Sequence, residues 1–261
     1  MPLIKTILIF VPVVGAVLVL TPLGLLFFML SVLGLQRQAA AGMYRMAQGW
    51  ARFMIALIGC EVTVRGREHI PPRGGICFVS NHGSIFDILL ILAYAGRPFG
   101  FIAKKELAFI PFLNMWIYLL GGSFIDRKNI RKAVKAIDRG IKRIKNGGSM
   151  IIFPEGHRSR GQGLLPFHPG SLKLATKAGA PIVPVALSGS YDVFERNYRV
   201  AAAPVGISFG APIPTADLPP EDRKQALAEK TRDVIAGMLE RGGRENGKTG
   251  GGGADFKPQR G

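Results

Sequence analysis

The segment Asn81-His82-Gly83-Ser84-Ile85-Phe86-Asp87 sets an imidazole and a carboxylate five residues apart. A histidine takes a proton from a hydroxyl efficiently when its second ring nitrogen is held in one tautomer. A neighbouring aspartate does that and stabilises the imidazolium that forms. On a single helix the two residues would be about 140° apart at ~3.6 residues per turn. They converge only if His82 sits on a strand-to-helix turn and Asp87 in the first helical turn. The flanks fit: the apolar run Ile76-Cys77-Phe78-Val79 precedes the turn, and Ile88 to Tyr94 follows it, stopping before Gly96. A second reading of the same residues is structural. Ser84-x-x-Asp87 is also a helix capping box, in which Asp87 bonds back to the amide of Ser84.

Three more segments follow in order. Gly121-Gly122-Ser123-Phe124-Ile125-Asp126-Arg127 reads as a strand that delivers an arginine at its end. Ile151-Ile152-Phe153-Pro154-Glu155-Gly156-His157-Arg158-Ser159 reads as a strand running into a Pro-Gly loop with another arginine. Ala180-Pro181-Ile182-Val183-Pro184-Val185 is an apolar strand bracketed by prolines. With the histidine segment, and Lys104-Lys105 between, these four resemble the glycerolipid acyltransferase family, most of all its 1-acylglycerol-3-phosphate O-acyltransferases (lysophosphatidic acid acyltransferases). The resemblance covers residues 76–190. Two positions depart from the family pattern: His157 stands where threonine is usual, and in His168-Pro169-Gly170 a proline stands where a basic residue commonly precedes the glycine.

The resemblance implies transfer of a fatty acyl group from a thioester, acyl carrier protein or coenzyme A, to a glycerol hydroxyl. The product would be phosphatidic acid, in phospholipid biosynthesis. No cofactor is implied, since the thioester is already activated. It implies His82 as base and Asp87 as its orienting partner. The acceptor's phosphate calls for the planar fork of arginine, which implies Arg127 and Arg158 as substrate-binding, with Lys105 as a third cation. Glu155 would fix an arginine, and Gly156 would permit close backbone approach. Two alternatives stay open on sequence. One is acylation of another lyso-lipid, such as a lyso-ornithine lipid; the other is a non-catalytic membrane lipid-binding protein. A serine hydrolase would need a Gly-x-Ser-x-Gly elbow, which Pro169-Gly170-Ser171 and Ser188-Gly189-Ser190 do not supply.

The rest of the chain bears on where such a site would work. Of 261 residues 48% are hydrophobic, and the net charge is +17. Residues 6–36 contain no Asp, Glu, Lys, Arg or His. About 20 apolar helical residues cross a bilayer core, so residues 1–36 are expected to form a membrane segment, either one kinked helix or a helical hairpin. Residues 37–60, with Met43, Ala47, Trp50, Met54 and Leu57 along one side, are expected to be an amphipathic interfacial helix. Residues 126–145 carry nine Lys/Arg against two Asp, a face suited to anionic headgroups. Arg37, Arg45 and Arg52 favour a catalytic body on the cytoplasmic face of the inner membrane. The partners expected are thus the phospholipid bilayer, lysophosphatidic acid and the thioester donor. The basic charge would also suit nucleic acid, but no RNA-recognition signature or zinc finger accompanies it. Cys60 and Cys77 have no metal-ligand spacing, so no metal site is expected.

These residues need a scaffold. Strands are predicted at 62–64, 76–80, 99–103, 123–126, 150–153, 182–187 and 205–209, and helices at 87–95, 131–145, 171–178 and 223–240. The alternation predicts an α/β acyltransferase domain over residues 61–240, built on a mixed or mainly parallel sheet flanked by helices. The last residues, 241–261, include eight glycines and are expected to form a disordered tail.

Overall fold

The computed structural model describes residues 21–110, 113–126, 129–215 and 223–249. Its elements in chain order are α1 (Gln36–Ile58), β1 (Val62–Arg65), β2 (Ile76–Ser80), α2 (Asp87–Tyr94), β3 (Phe99–Lys104), α3 (Leu113–Leu119), β4 (Ser123–Ile125), α4 (Ile130–Lys145), β5 (Ser149–Ile152), α5 (Lys173–Ala178), β6 (Ile182–Ser188), β7 (Val205–Phe209) and α6 (Arg223–Thr249). The strands form one seven-stranded sheet in the order β1-β7-β6-β2-β5-β3-β4. Every pairing is parallel except β6 with β7. The fold is α/β with a mixed, mostly parallel sheet.

Central strands in such a sheet are covered on both faces, so they read as unbroken apolar runs. β2 lies between β5 and β6 and is buried throughout. Successive side chains of a strand point to opposite faces. Ile76, Phe78, Ile151, Val183 and Val185 therefore pack with α1 and α2 on one side. Cys77, Val79, Met150, Ile152 and Ile182 pack with α4, α5 and α6 on the other. Phe78 meets Phe99 and Phe209 edge-on, at 6.3 and 6.2 Å between ring centres, the arrangement that the ring quadrupole favours.

The stripe on α1 buries Met43, Ala47, Ala51, Met54 and Ile55. Gln48 Nε2 and Arg52 Nε donate to the Ala93 carbonyl at 3.3 and 3.0 Å, a cation at the C-terminal end of α2. Phe53 and Leu57 on the same helix stay exposed. On α4, Ala136, Ile141 and Ile144 are buried, whereas Arg131, Lys135, Arg139, Lys142 and Lys145 face outward. Arg143 leaves that basic face: its Nε donates to the Ser149 carbonyl at 3.1 Å, and burial lowers its pKa. The C-terminal helix α6 continues past Glu240 to Thr249, and residues 250–261 lie outside the described residues.

Of the N-terminal apolar segment, residues 1–20 lie outside the described residues. Residues 21–32 are helical and break before α1 at Gly34, whose φ is +87°. Phe27 packs over Gly42 of α1, and Gly24 lies against Met115 and Trp116 of α3. Among the described residues, no helix is long and apolar enough to cross a membrane.

Candidate active site

The turn after β2 is held to its neighbours before any catalytic group is placed. Asn81 Oδ1 accepts from Leu187 N, and Asn81 Nδ2 donates to Leu187 O, both at 2.9 Å. The side-chain amide thereby prolongs the pairing of β2 with β6 by one step after the backbone has turned away. This lets the chain leave the sheet at His82 without stranding the backbone of β6.

His82 and Asp87 do converge. His82 Nδ1 lies 2.8 Å from Asp87 Oδ2, and the aspartate is wholly buried. The same oxygen accepts from Gly83 N at 2.8 Å and Ser84 N at 2.9 Å. Asp87 therefore holds the turn and the imidazole at once: the bond back to the Ser84 amide forms, but the residue before the helix is Phe86 rather than Ser84, and no side chain caps it. With Nδ1 as donor to the carboxylate, Nε2 carries the lone pair that can accept a proton. The ring stacks on Phe153 of the loop after β5, with centres 4.1 Å apart and planes 22° from parallel.

Glu155 lies beneath this turn, 1% exposed. Its Oε1 accepts from His82 N at 2.8 Å, and Ser159 N donates to His82 O at 2.7 Å. The backbone of His82 is thus clamped on both sides by the loop after β5. Glu155 fixes the histidine, whereas the sequence suggested that it fixes an arginine. Burial pushes its carboxyl up to about 7, with the His82 amide acting in the opposite direction. Gly156 has a φ of +75°, in the region where a side chain is strained, and a β-carbon there would meet the His168 ring at 3.4 Å.

Arg158 donates from NH1 to Glu195 Oε1 at 2.8 Å. Glu195 also accepts from Ile85 N at 2.8 Å and from the Ser84 hydroxyl. Lys105 pairs with Asp126 across the ends of β3 and β4, Nζ to Oδ2 3.0 Å. Arg127 lies outside the described residues. Glu195 had no signal in the sequence: it stands among the charged residues of a mixed stretch, Tyr191 to Asn197, far along the chain from the turn it holds.

These groups border a cavity of about 880 Å³ at the C-terminal ends of the central strands, where open α/β sheets place their ligands. His82, Gly156 and Arg158 line it, with Lys104 rather than Lys105 from β3. Phe101, Ile102, Leu107 and Ile137 give it apolar wall. A base, a cation and an apolar wall around one space suit an amphiphile that carries both an anionic group and a hydrocarbon chain.

The sequence matches the Acyltransferase family over residues 61–188. It is 32% identical over 202 residues to the human 1-acyl-sn-glycerol-3-phosphate acyltransferase alpha, covering 77% of this chain and 70% of that one. The chain belongs to the acyltransferase family. Other acyltransferase relatives are the 1-acyl-sn-glycerol-3-phosphate acyltransferases of Borreliella burgdorferi, 35% identical, and Cocos nucifera, 34% identical. These matches cover 58% and 64% of this chain, and the chain spans only 61% and 54% of the two relatives' own lengths. The crystal structure of the 1-acyl-sn-glycerophosphate (LPA) acyltransferase PlsC from Thermotoga maritima superposes with a TM-score of 0.80 at 27% identity, covering 92% of this chain and 95% of that one. The family match takes in every site residue named from sequence and stops short of Glu195.

Proposed function

We propose that this acyltransferase moves a fatty acyl group from a thioester, acyl carrier protein or coenzyme A, to the free hydroxyl of 1-acylglycerol 3-phosphate, giving phosphatidic acid for phospholipid biosynthesis. The observation that carries the proposal is the bond from His82 Nδ1 to the buried Asp87, at the edge of a cavity that also holds Arg158. His82 Nε2 takes the proton of the acceptor hydroxyl as its oxygen attacks the thioester carbon. The carbonyl becomes a tetrahedral oxyanion, then re-forms as the carbon–sulfur bond breaks. The proton held by His82 passes to the departing thiolate, giving free thiol and ester. Arg158 binds the acceptor's phosphate, with Lys104 as a second cation on the cavity wall; Arg127 and Lys105 are carried as further acceptor-binding groups from the sequence motifs alone. The names of the relatives support this acceptor.

The acceptor and product live in a bilayer, and we place the protein at the cytoplasmic membrane with its catalytic domain on the cytoplasmic side. Residues 1–36 supply the membrane segment. In the described part of it, Met29, Val32 and Leu33 are 60%, 72% and 73% exposed. The neighbouring approach to α3 adds Phe109 at 82%, and α1 adds Phe53 and Leu57. Apolar exposure on adjacent elements supports a bilayer-facing surface. The basic face of α4 supports attraction to anionic headgroups.

The test is an assay of purified protein in detergent with both donors against lyso-acceptors with and without phosphate. Free thiol and phosphatidic acid formed together from 1-acylglycerol 3-phosphate would support the proposal. Thiol release only with phosphate-free acceptors would refute the substrate, and none with any acceptor would refute the activity.

A further inference from the structure

Glu195 is 6% exposed, yet its carboxylate serves two separate parts of the site. Oε1 accepts from Arg158 NH1 and from Ile85 N, each at 2.8 Å. Oε2 accepts from the hydroxyl of Ser84, and that hydroxyl in turn accepts from Phe86 N at 3.0 Å. Ser84, Ile85 and Phe86 form the turn that joins His82 to Asp87. A single carboxylate therefore ties the cavity's arginine to the loop that carries the base. A buried carboxylate with charge-assisted partners holds them firmly, because each broken bond would leave a charge or an amide without a partner. The segment bearing Glu195 is itself anchored. It follows the helical turn Ser190–Val193, Arg196 N donates to Tyr191 O at 3.1 Å, and the Arg196 guanidinium pairs with Asp192.

We propose that Glu195 is a positioning residue of the acyltransferase site, setting Arg158 against the acceptor's phosphate and fixing the turn that places His82. It does not touch the reacting atoms. The proposal rests on the acyl-transfer reading above, because Arg158 is assigned its ligand there. The two arms of Glu195 predict different kinetic signatures. Loss of the arginine arm weakens acceptor binding, whereas loss of the turn arm slows the chemical step.

The experiment is a double-mutant cycle on the full chain, read by thiol release with 1-acylglycerol 3-phosphate as the varied substrate. Glu195→Gln keeps the shape and removes the charge. It should raise the acceptor KM roughly tenfold, leave the thioester KM unchanged and, on an Arg158→Ala background, add almost nothing to the acceptor KM, any further loss falling on kcat through the turn arm. Ser84→Ala keeps the Arg158–Glu195 pair and removes the hydroxyl tether, so it should lower kcat about three- to tenfold with the acceptor KM unchanged. If Glu195→Gln does not fold, Glu195→Asp replaces it in the cycle. Its side chain is one methylene short of spanning both arms, and the same non-additivity is expected. Active wild type with additive Glu195 and Arg158 effects on the acceptor KM would overturn the proposal alone. Wild type that consumes no thioester with this acceptor would overturn the acyl-transfer reading, and this proposal with it.

Discussion

Three donors converge on Asp87 Oδ2, and one of them is the imidazole of His82. The aspartate's charge and its acceptor oxygen thus serve the imidazole and the turn before the helix together. Asp87→Asn is expected to keep the fold. Its amide oxygen would face the three donors, but the charge that stabilises the imidazolium is lost, and turnover should fall by about 10³-fold or more in steady-state thiol release. Glu155 makes a second prediction, through pH. Its carboxyl is raised from 4.5 to about 7 in the folded protein. The native state therefore binds this proton more tightly than the unfolded chain does, and this group's contribution to stability falls as pH rises through that window. Glu155→Gln, which keeps an acceptor for His82 N, removes that slope. Urea unfolding should show the variant gaining relative to wild type between about pH 4.5 and pH 7. An unchanged difference across the window would contradict the buried-carboxyl account.

At the scale of the elements, the site is a consequence of where β2, β5 and β6 end. Their apolar runs made the strands legible in sequence, and the five-residue spacing made the turn at His82 legible with them. The sheet order was not legible, because a fully buried strand shows the same run whichever neighbours it has. Helix α3, with the sequence Leu-Asn-Met-Trp-Ile-Tyr-Leu, was missed because its apolar residues leave no polar stripe to mark a helical period. Glu195 was missed for a different reason: only the folded loop after β6 brings it to Ser84, and nothing in the alternation of Asp192, Glu195 and Arg196 with Val193 and Phe194 signals a buried carboxylate. Asn81 was quoted as part of the motif without a role, and the structure supplies one in the junction of β2 and β6. Asn81→Ala should strand Leu187 N and O and cost about 1–3 kcal/mol of stability. Denaturant unfolding would measure it, and a change within about 0.5 kcal/mol, typical of a surface substitution, would contradict the role.

Across the whole molecule, the exposed apolar residues of 21–35 and of the approach to α3 stand apart from the two cores on either side of the sheet. The proposed bilayer contact predicts that Phe109→Glu lowers recovery of the protein on anionic vesicles, with little effect on thermal stability, since the side chain is 82% exposed. High salt should weaken the residual association, because screening acts on the basic face of α4 but not on apolar burial. Release of the wild-type protein by high salt alone would contradict insertion. The central claim is that His82 is the base for acyl transfer, and one measurement meets it directly. Wild type and His82→Ala, each shown to be folded, are given labelled acyl thioester and 1-acylglycerol 3-phosphate in mixed micelles, and labelled phosphatidic acid is followed in time. Wild type should form it with one thiol released per ester, and His82→Ala should be slower by at least about 10²–10⁴-fold. A folded His82→Ala variant that forms phosphatidic acid at near wild-type rate would contradict the account.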